Sequence, residues 1–313
     1  MIRHLPYNDI DKAKWDACIG KSVNGNIYAY SWYLDSACER WDALVEDDYH
    51  SVMPLPCRKK AGFQYIFPPS LVQQLGIFSV EEISASKVAE FIHEIPSKFK
   101  YAEINLNHHN PVEKLTATIK THVNLELGLN KAYDELQRNY AENLRRTLKK
   151  IPENIFIVKK EGDTQELIEL FKNNQAKKIA LLPKDFYQVL ERVSNVAKEK
   201  KMMQLWQVFH EGKHCAGVLF IFGFQKAIFL FSANNDTGKE LHTMHFLIDR
   251  FIRENSGKEL TLDFEGSDNK SLARFYRSFG ATEKNYNGIT LSRWPQFVIN
   301  SIKSVLKIKN KLL

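Results

Sequence analysis

The chain has 313 residues, 44% of them apolar and 12% aromatic, with a formal net charge of +7. So large an apolar share excludes a disordered chain, and the length allows two domains, each with its own core. The richest apolar runs, 217–223 and 228–231, fall far short of the ~20 residues a membrane-spanning helix needs.

In chain order, residues 41–46, 51–58 and 63–67 read as three short strands separated by Asp47-Asp48 and Ala61-Gly62. Pro68-Pro69 ends the third. A helix over 84–95, capped by Ser84 and spaced through Val88, Phe91 and Ile92, leads into a strand over 101–106. These elements make a first domain, 1–120. A second, 121–295, opens with a strand at 123–127 and one long helix over 131–151 with its apolar stripe at Tyr133, Leu136, Tyr140, Leu144, Leu148 and Ile151. A strand (155–159), two helices (164–178, 183–200), three strands (203–210, 215–222, 227–233) and a helix (240–255) follow. They lead to a strand at 260–265, a helix behind Ser267 or Asp268 that stops at Gly280, and a last strand at 288–292. Residues 296–313 form a third segment, a basic amphipathic helix.

Charge is uneven. Residues 1–120 hold 13 Lys and Arg against 15 Asp and Glu, and the remainder 31 against 22. The second part therefore suits a phosphate-bearing partner: tRNA, a nucleotide-linked substrate, acyl-CoA or an anionic lipid. The first fifteen residues lack the apolar core of a signal peptide, which predicts a cytoplasmic protein. Cys18, Cys38, Cys57 and Cys215 show no paired spacing and read as reduced thiols. His210 and His214, or His242 and His245, lack the neighbouring ligands of a metal site. Neither a metal nor a tightly bound cofactor is expected.

The stretch LTLDFEGSDNKSLARFYRSFGA (260–281) carries the most information. An alternating strand ends in acidic and hydroxyl residues beside a short helix, where open α/β sheets place ligand crevices. Its FYRSFGA resembles the F-Y-x-x-x-G signature of GNAT-superfamily acyltransferases, and with DFEGS it is similar to the FemAB-like branch. The resemblance implies an α/β chain of two tandem GNAT domains, each a mixed twisted sheet flanked by helices. The first would be a degenerate, acceptor-side half and the second the active half. It implies amide-bond formation on an amine, with aminoacyl-tRNA or acyl-CoA as donor and a cell-wall precursor among the acceptors. A non-catalytic binding protein on a decayed GNAT fold is the contrasting reading.

In such a fold two parallel strands, here 227–233 and 260–265, splay around the donor. The resemblance makes Ser232, Asn234, Asn235, Gly238 and Lys239 donor-binding candidates, although the R/Q-x-x-G-x-G/A loop of acyl-CoA users is absent. Glu265 is the candidate general base, Asp263 its neighbour on the same face, and Tyr276 the acid for the leaving group. Arg58, Tyr65, Gln73 and Gln74 are acceptor-side candidates. Arg138, Arg145 and Lys149 on the 131–151 helix are phosphate-binding candidates. Blander roles stay open: turn residues at 232–239, helix-capping acids at 263 and 265, and a solvated basic face on the long helix. The 296–313 helix either touches an anionic membrane or docks on its own domain.

Overall fold

The computed structural model describes residues 1–60, 62–175, 182–265 and 268–293. The chain divides into two units. Unit 1 takes its first seven strands from Ile2–Leu5 (β1), Arg40–Glu46 (β2), Ser51–Lys60 (β3), Phe63–Ile66 (β4), Phe78–Ser79 (β5), Tyr101–Asn105 (β6) and Thr118–His122 (β7). Its helices are Lys12–Lys21 (α1), Ser31–Ala37 (α2) and Ala85–His93 (α3). The Ser84 hydroxyl accepts the Lys87 N–H at 3.2 Å, so α3 starts where the sequence places it, with Val88 and Phe91 buried against the sheet. Strands β4 and β6 run parallel yet pair only at Ile66↔Ala102; a second parallel bridge, Leu75↔Leu106, forms just past the end of β6. Pro68 and Pro69 have no N–H to continue the ladder, and the strands part there.

Unit 2 holds Leu125–Gly128 (β8), Phe156–Lys159 (β9), Met203–His210 (β10), Lys213–Gly223 (β11), Lys226–Asn234 (β12), Thr261–Asp263 (β13) and Thr282–Glu283 (β14). Its helices are Tyr133–Arg138 (α4), Glu142–Lys150 (α5), Thr164–Asn174 (α6), Phe186–Glu199 (α7), Asp236–Glu240 (α8), Thr243–Asn255 (α9) and Lys270–Arg277 (α10). The sheet order is β14-β8-β13-β12-β11-β10-β9, with β12–β13 its parallel pair. On one face α9 lays Phe251 flat on Phe220 at 4.1 Å, edge-on to Trp206 at 5.3 Å. On the other α6 presses Leu167 so close to Gly217 that a Cβ there would come within 2.7 Å of it.

The last described strand, Tyr286–Ser292 (β15), lies in unit 1, antiparallel between β6 and β7. Unit 1 is thus ordered β1-β2-β3-β4-β6-β15-β7, with β5 on β3. The expected second domain of 121–295 accordingly runs from Val123 to Lys284, and the expected first domain of 1–120 extends to His122 and regains the chain from Asn285. The strand expected to close the second sheet is replaced there by β14. The helical segment expected at 296–313 lies outside the described residues, as does Ser267. The cap of α10 is Asn269, whose side chain accepts the N–H groups of Ser271 and Leu272. The expected long helix breaks at residues 139–141, where the Ala141 N–H leaves the helix to bond Ser278 O at 2.8 Å. Leu136, Tyr140 and Leu144 still reach the core, so the stripe is right and its continuity is not.

Ile289 sits between Ile104 and Ile119 and is 2% exposed. Ile289→Asp is expected to destabilise unit 1 by about 4 kcal/mol, the cost of an unpaired buried carboxylate. Hydrogen exchange should accelerate along β6 and β7 and leave β10–β12 protected.

Candidate active site

The parallel pairing of β12 and β13 covers three positions: Lys226↔Thr261, Ala227↔Leu262 and Ile228↔Asp263. Beyond Ile228, β12 continues to Asn234 and β13 stops. A bulge in the β11–β12 ladder lies just there, Leu219 pairing with Phe231 and Phe220 with Phe229. A bulge bends its strand and tightens the local twist, which carries β12 away from β13. Among the described residues, β12 from Phe229 onward has no ladder partner on its β13 side, so the sheet opens into a wedge.

At the apex Phe264 and Phe229 are the first residues past the last pair. The Tyr276 ring, on α10, stacks on Phe264 at 4.5 Å and meets Phe229 edge-on at 5.9 Å, closing the wedge from one face. Glu265 is 7% exposed and adopts a left-handed backbone, φ 55°. That ends the alternation expected through 265: Asp263 and Glu265 do not continue one regular strand face. The Glu265 N–H turns back to Asp263 Oδ1 at 2.9 Å. Burial holds the Tyr276 hydroxyl well above the ordinary tyrosine range, and the Glu265 charge adds to this. Asp263, 4% exposed, faces Lys226 at 3.5 Å, and Lys226 also pairs with Glu126 directly opposite Asp263 on β8. Burial pushes the Asp263 carboxyl up; Lys226 opposes this and Glu126 adds to it. The structure therefore brings Glu265, Asp263 and Tyr276 together.

Sequence reasoning missed Lys226 and Glu126. A lysine opening an apolar strand reads as solvated, and only the three-strand register reveals its partners.

The donor-side candidates are arranged otherwise than as a loop. Residues 236–240 form α8, capped by Asn235, whose Oδ1 accepts the Gly238 N–H at 2.7 Å. Gly238 is a packing glycine: a Cβ there would lie 2.5 Å from Cys215 O and 2.1 Å from Asn234 Oδ1. Lys239 Nζ reaches Asp236 at 2.6 Å. Asn234 donates its N–H to Gln175 Oε1 at 2.9 Å, and Ser232 pairs with Val218 inside the β11–β12 ladder. These five residues lie together along the end of β12 and α8. The next helix, α9, starts after His242 in a left-handed conformation.

In unit 1, Arg58 pairs with Tyr65 across β3–β4 and lies over the Phe67 ring at 5.3 Å. Burial raises the Tyr65 hydroxyl against the pull of Arg58. Gln73 lines an open cleft with Phe67, Pro68 and Glu103, where β4 and β6 part. Gln74 is buried and donates to Gln73 Oε1 at 2.7 Å. The break at 139–141 separates Arg138, at the end of α4, from Arg145 and Lys149, which share α5; all three are exposed. His210 Nδ1 lies 3.2 Å from Ile155 O and His214 Nε2 3.1 Å from Ala216 O. Among the described residues, no group of three or more His, Cys, Asp and Glu could hold a metal, and no helix is long and apolar enough to cross a membrane.

No family model and no curated protein matches this sequence. Solved structures do match in fold. FemX superposes with a TM-score of 0.66 at 13% identity, over 89% of this chain and 96% of FemX. The C-terminal domain of a putative lysylphosphatidylglycerol synthetase from Agrobacterium fabrum gives 0.55 at 8%, over 96% and 98%. A tandem GNAT protein from the clavulanic acid biosynthesis pathway gives 0.52 at 10%, over 95% and 100%. The fold is a tandem GNAT fold. It has two mixed sheets flanked by helices, as the 260–281 signature implied.

Two measurements check the local account. Gly238→Ala is expected to cost roughly 1–3 kcal/mol by overpacking, read from urea unfolding. Burial, with His242 adding, lowers the His245 pKa to about 4. Its stabilising contribution is complete above ~6.5 and fades as pH falls toward 4, because the unfolded chain takes a proton that the folded one refuses. His245→Gln should reduce the difference in urea midpoint between pH 7 and 4.5; an undiminished difference assigns it to other groups.

Proposed function

We propose that the chain is an N-acyltransferase of the aminoacyl-transferring kind, and that transfer takes place in the β12–β13 wedge. The observation that carries this reading is the convergence of Glu265 and Tyr276 at the point where the two strands part. An ester carbonyl inserted there would meet N–H groups of β12 that have no ladder partner on that side among the described residues, and such groups favour the oxyanion of a tetrahedral intermediate. Glu265 takes a proton from the attacking amine. The new N–C bond forms, the C–O bond to the leaving group breaks, and Tyr276 donates its proton to the departing alkoxide. No covalent enzyme intermediate is needed.

The donor preference rests on the segment that follows β12. Asn234 ends that strand, and residues 236–240 form a packed helix capped by Asn235 instead of a glycine-rich phosphate loop. This favours an aminoacyl ester, as on tRNA, over acyl-CoA. The charge surplus of residues 121–313 supports a phosphate-bearing donor or an acceptor linked to nucleotide or lipid. The FemAB-like resemblance of residues 260–281 supports an amine on a cell-wall precursor as acceptor.

Glu265→Gln should lower kcat about 10²–10⁴-fold without changing the unfolding midpoint by more than a degree or two. Charged tRNA should protect the protein thermally at micromolar concentration, with acetyl-CoA giving no saturable shift. Competitive, saturable binding of acetyl-CoA near Asn234–Lys239 would transfer the assignment to the CoA-dependent class. Binding of charged tRNA with no transfer to any amine would leave a recognition module.

A further inference from the structure

Three strands of unit 2 meet at a buried charge cluster that the transfer chemistry does not itself use. Glu126 and Asp263 are direct partners in the antiparallel β8–β13 pair, so two carboxylates stand face to face. Like charges at such a position destabilise a sheet. Lys226, two residues before the Asp263 partner Ile228 on β12, lies on the same face and bonds to both. The side chains are 11%, 6% and 26% exposed for Glu126, Asp263 and Lys226. An ionic cluster this dry adds little to stability, since apolar replacements of similar volume often do as well or better. What it does, together with a hydrogen bond from the Asn124 side chain, is fix the Asp263 carboxylate: Oδ2 faces Lys226, which leaves Oδ1 aimed at the Glu265 N–H.

That contact is where the cluster reaches the site. Left-handed backbone is unfavourable for a non-glycine residue, and a hydrogen bond to a carboxylate offsets such a cost. Released from Asp263, Glu265 would relax toward extended backbone, and its carboxylate would leave the neighbourhood of Tyr276.

We propose that Lys226, braced by Glu126, is a positioning residue: it orients Asp263, and through it holds Glu265 in the left-handed turn that presents the carboxylate at the apex of the wedge. This rests on the reading of the wedge as a transfer site. It is open to a test that does not need turnover.

The experiment compares wild type, Lys226→Met, Lys226→Arg and Glu126→Gln by amide hydrogen exchange and, with a charged-tRNA donor and amine acceptor, by steady-state kinetics. In Lys226→Met the Glu265 amide should exchange at least about tenfold faster, while amides of Trp206 and Val218 in the sheet core stay protected. The kcat should fall about 10²-fold with KM unchanged, the pattern of a displaced reacting group and not of lost binding. Lys226→Arg should keep both properties within about threefold of wild type. Glu126→Gln, which leaves the Lys226–Asp263 pair in place, should keep the Glu265 amide slow.

An unchanged Glu265 amide in Lys226→Met overturns the proposal, as does loss of protection in Lys226→Arg with the core intact. If Lys226→Met unfolds, Lys226→Gln, which removes the charge and keeps a polar side chain, decides by the same amide: faster exchange supports the proposal and unchanged exchange overturns it. If wild type transfers nothing while the amide responds as described, the transfer reading fails and the positioning role stands.

Discussion

The separation of β12 from β13 is the constraint on which the rest of unit 2 depends. Two parallel strands that have paired for three residues would ordinarily continue; here both are prevented. The β11–β12 bulge bends one strand away, and the left-handed turn at Glu265, tied to Asp263, stops the other. Neither device suffices alone. A bent β12 beside an extended β13 would trap water against unpaired backbone, and a truncated β13 beside a straight β12 would leave a ragged edge. Together they produce an opening with an aromatic floor of Phe229, Phe264 and Tyr276, and with acid chemistry at its corner. The surrounding elements hold this opening in place. Phe279 and Phe275 pack at 5.4 Å and secure α10, and Asp249 anchors Tyr133 and Tyr140 on the preceding segment at 2.8 and 3.0 Å.

Much of this was legible in the sequence where the signal is local. The 84–95 helix announces itself by its serine cap and its Val88–Phe91–Ile92 spacing, and the end of α10 by Gly280, which takes φ 82°. The three hairpin strands of unit 2 follow from apolar runs cut by His210–Lys213 and Phe224-Gln225. The 260–281 signature led to the fold and brought Glu265, Asp263 and Tyr276 to one place. The failures are non-local. Nothing near Asn139 shows that the helix must break; the cause is a carbonyl at Ser278, more than a hundred residues on. Asn234–Lys239 read as a loop because Asn, Asp and Gly favour turns, yet Asn235 caps a short helix and Gly238 admits the Cys215 carbonyl. Lys226 looks like an ordinary surface lysine until β8, β12 and β13 are placed in register.

The same limit explains the domain boundary. β15 has a strand pattern that suits either sheet, and closing the sheet nearest in sequence is the natural expectation. Register decided otherwise: Ile289 faces Ile104 and Ile119, and Asn287 supplies a carbonyl to the Leu106 N–H at 2.9 Å. In unit 2 the equivalent position, antiparallel to the splayed strand β13, is held by β8, which follows β7 after two residues. The sheet of unit 1 is thus closed beside β6 by a segment from outside the expected run of that domain, whereas β8 lies where the sequence places the first strand of the second.

This arrangement sets an order of assembly on the ribosome. Residues 123–284 contain every described strand of unit 2, so that sheet can form as soon as they emerge. The amino-terminal half, synthesised first, must wait with β6 and β7 unjoined until residues 286–292 appear, some 160 residues later. For that interval the nascent chain exposes two strand edges whose partner does not yet exist. Thr118, Lys120 and Thr121 on β7, polar and exposed even in the finished sheet, are the kind of residue that discourages wrong pairing while the chain is incomplete.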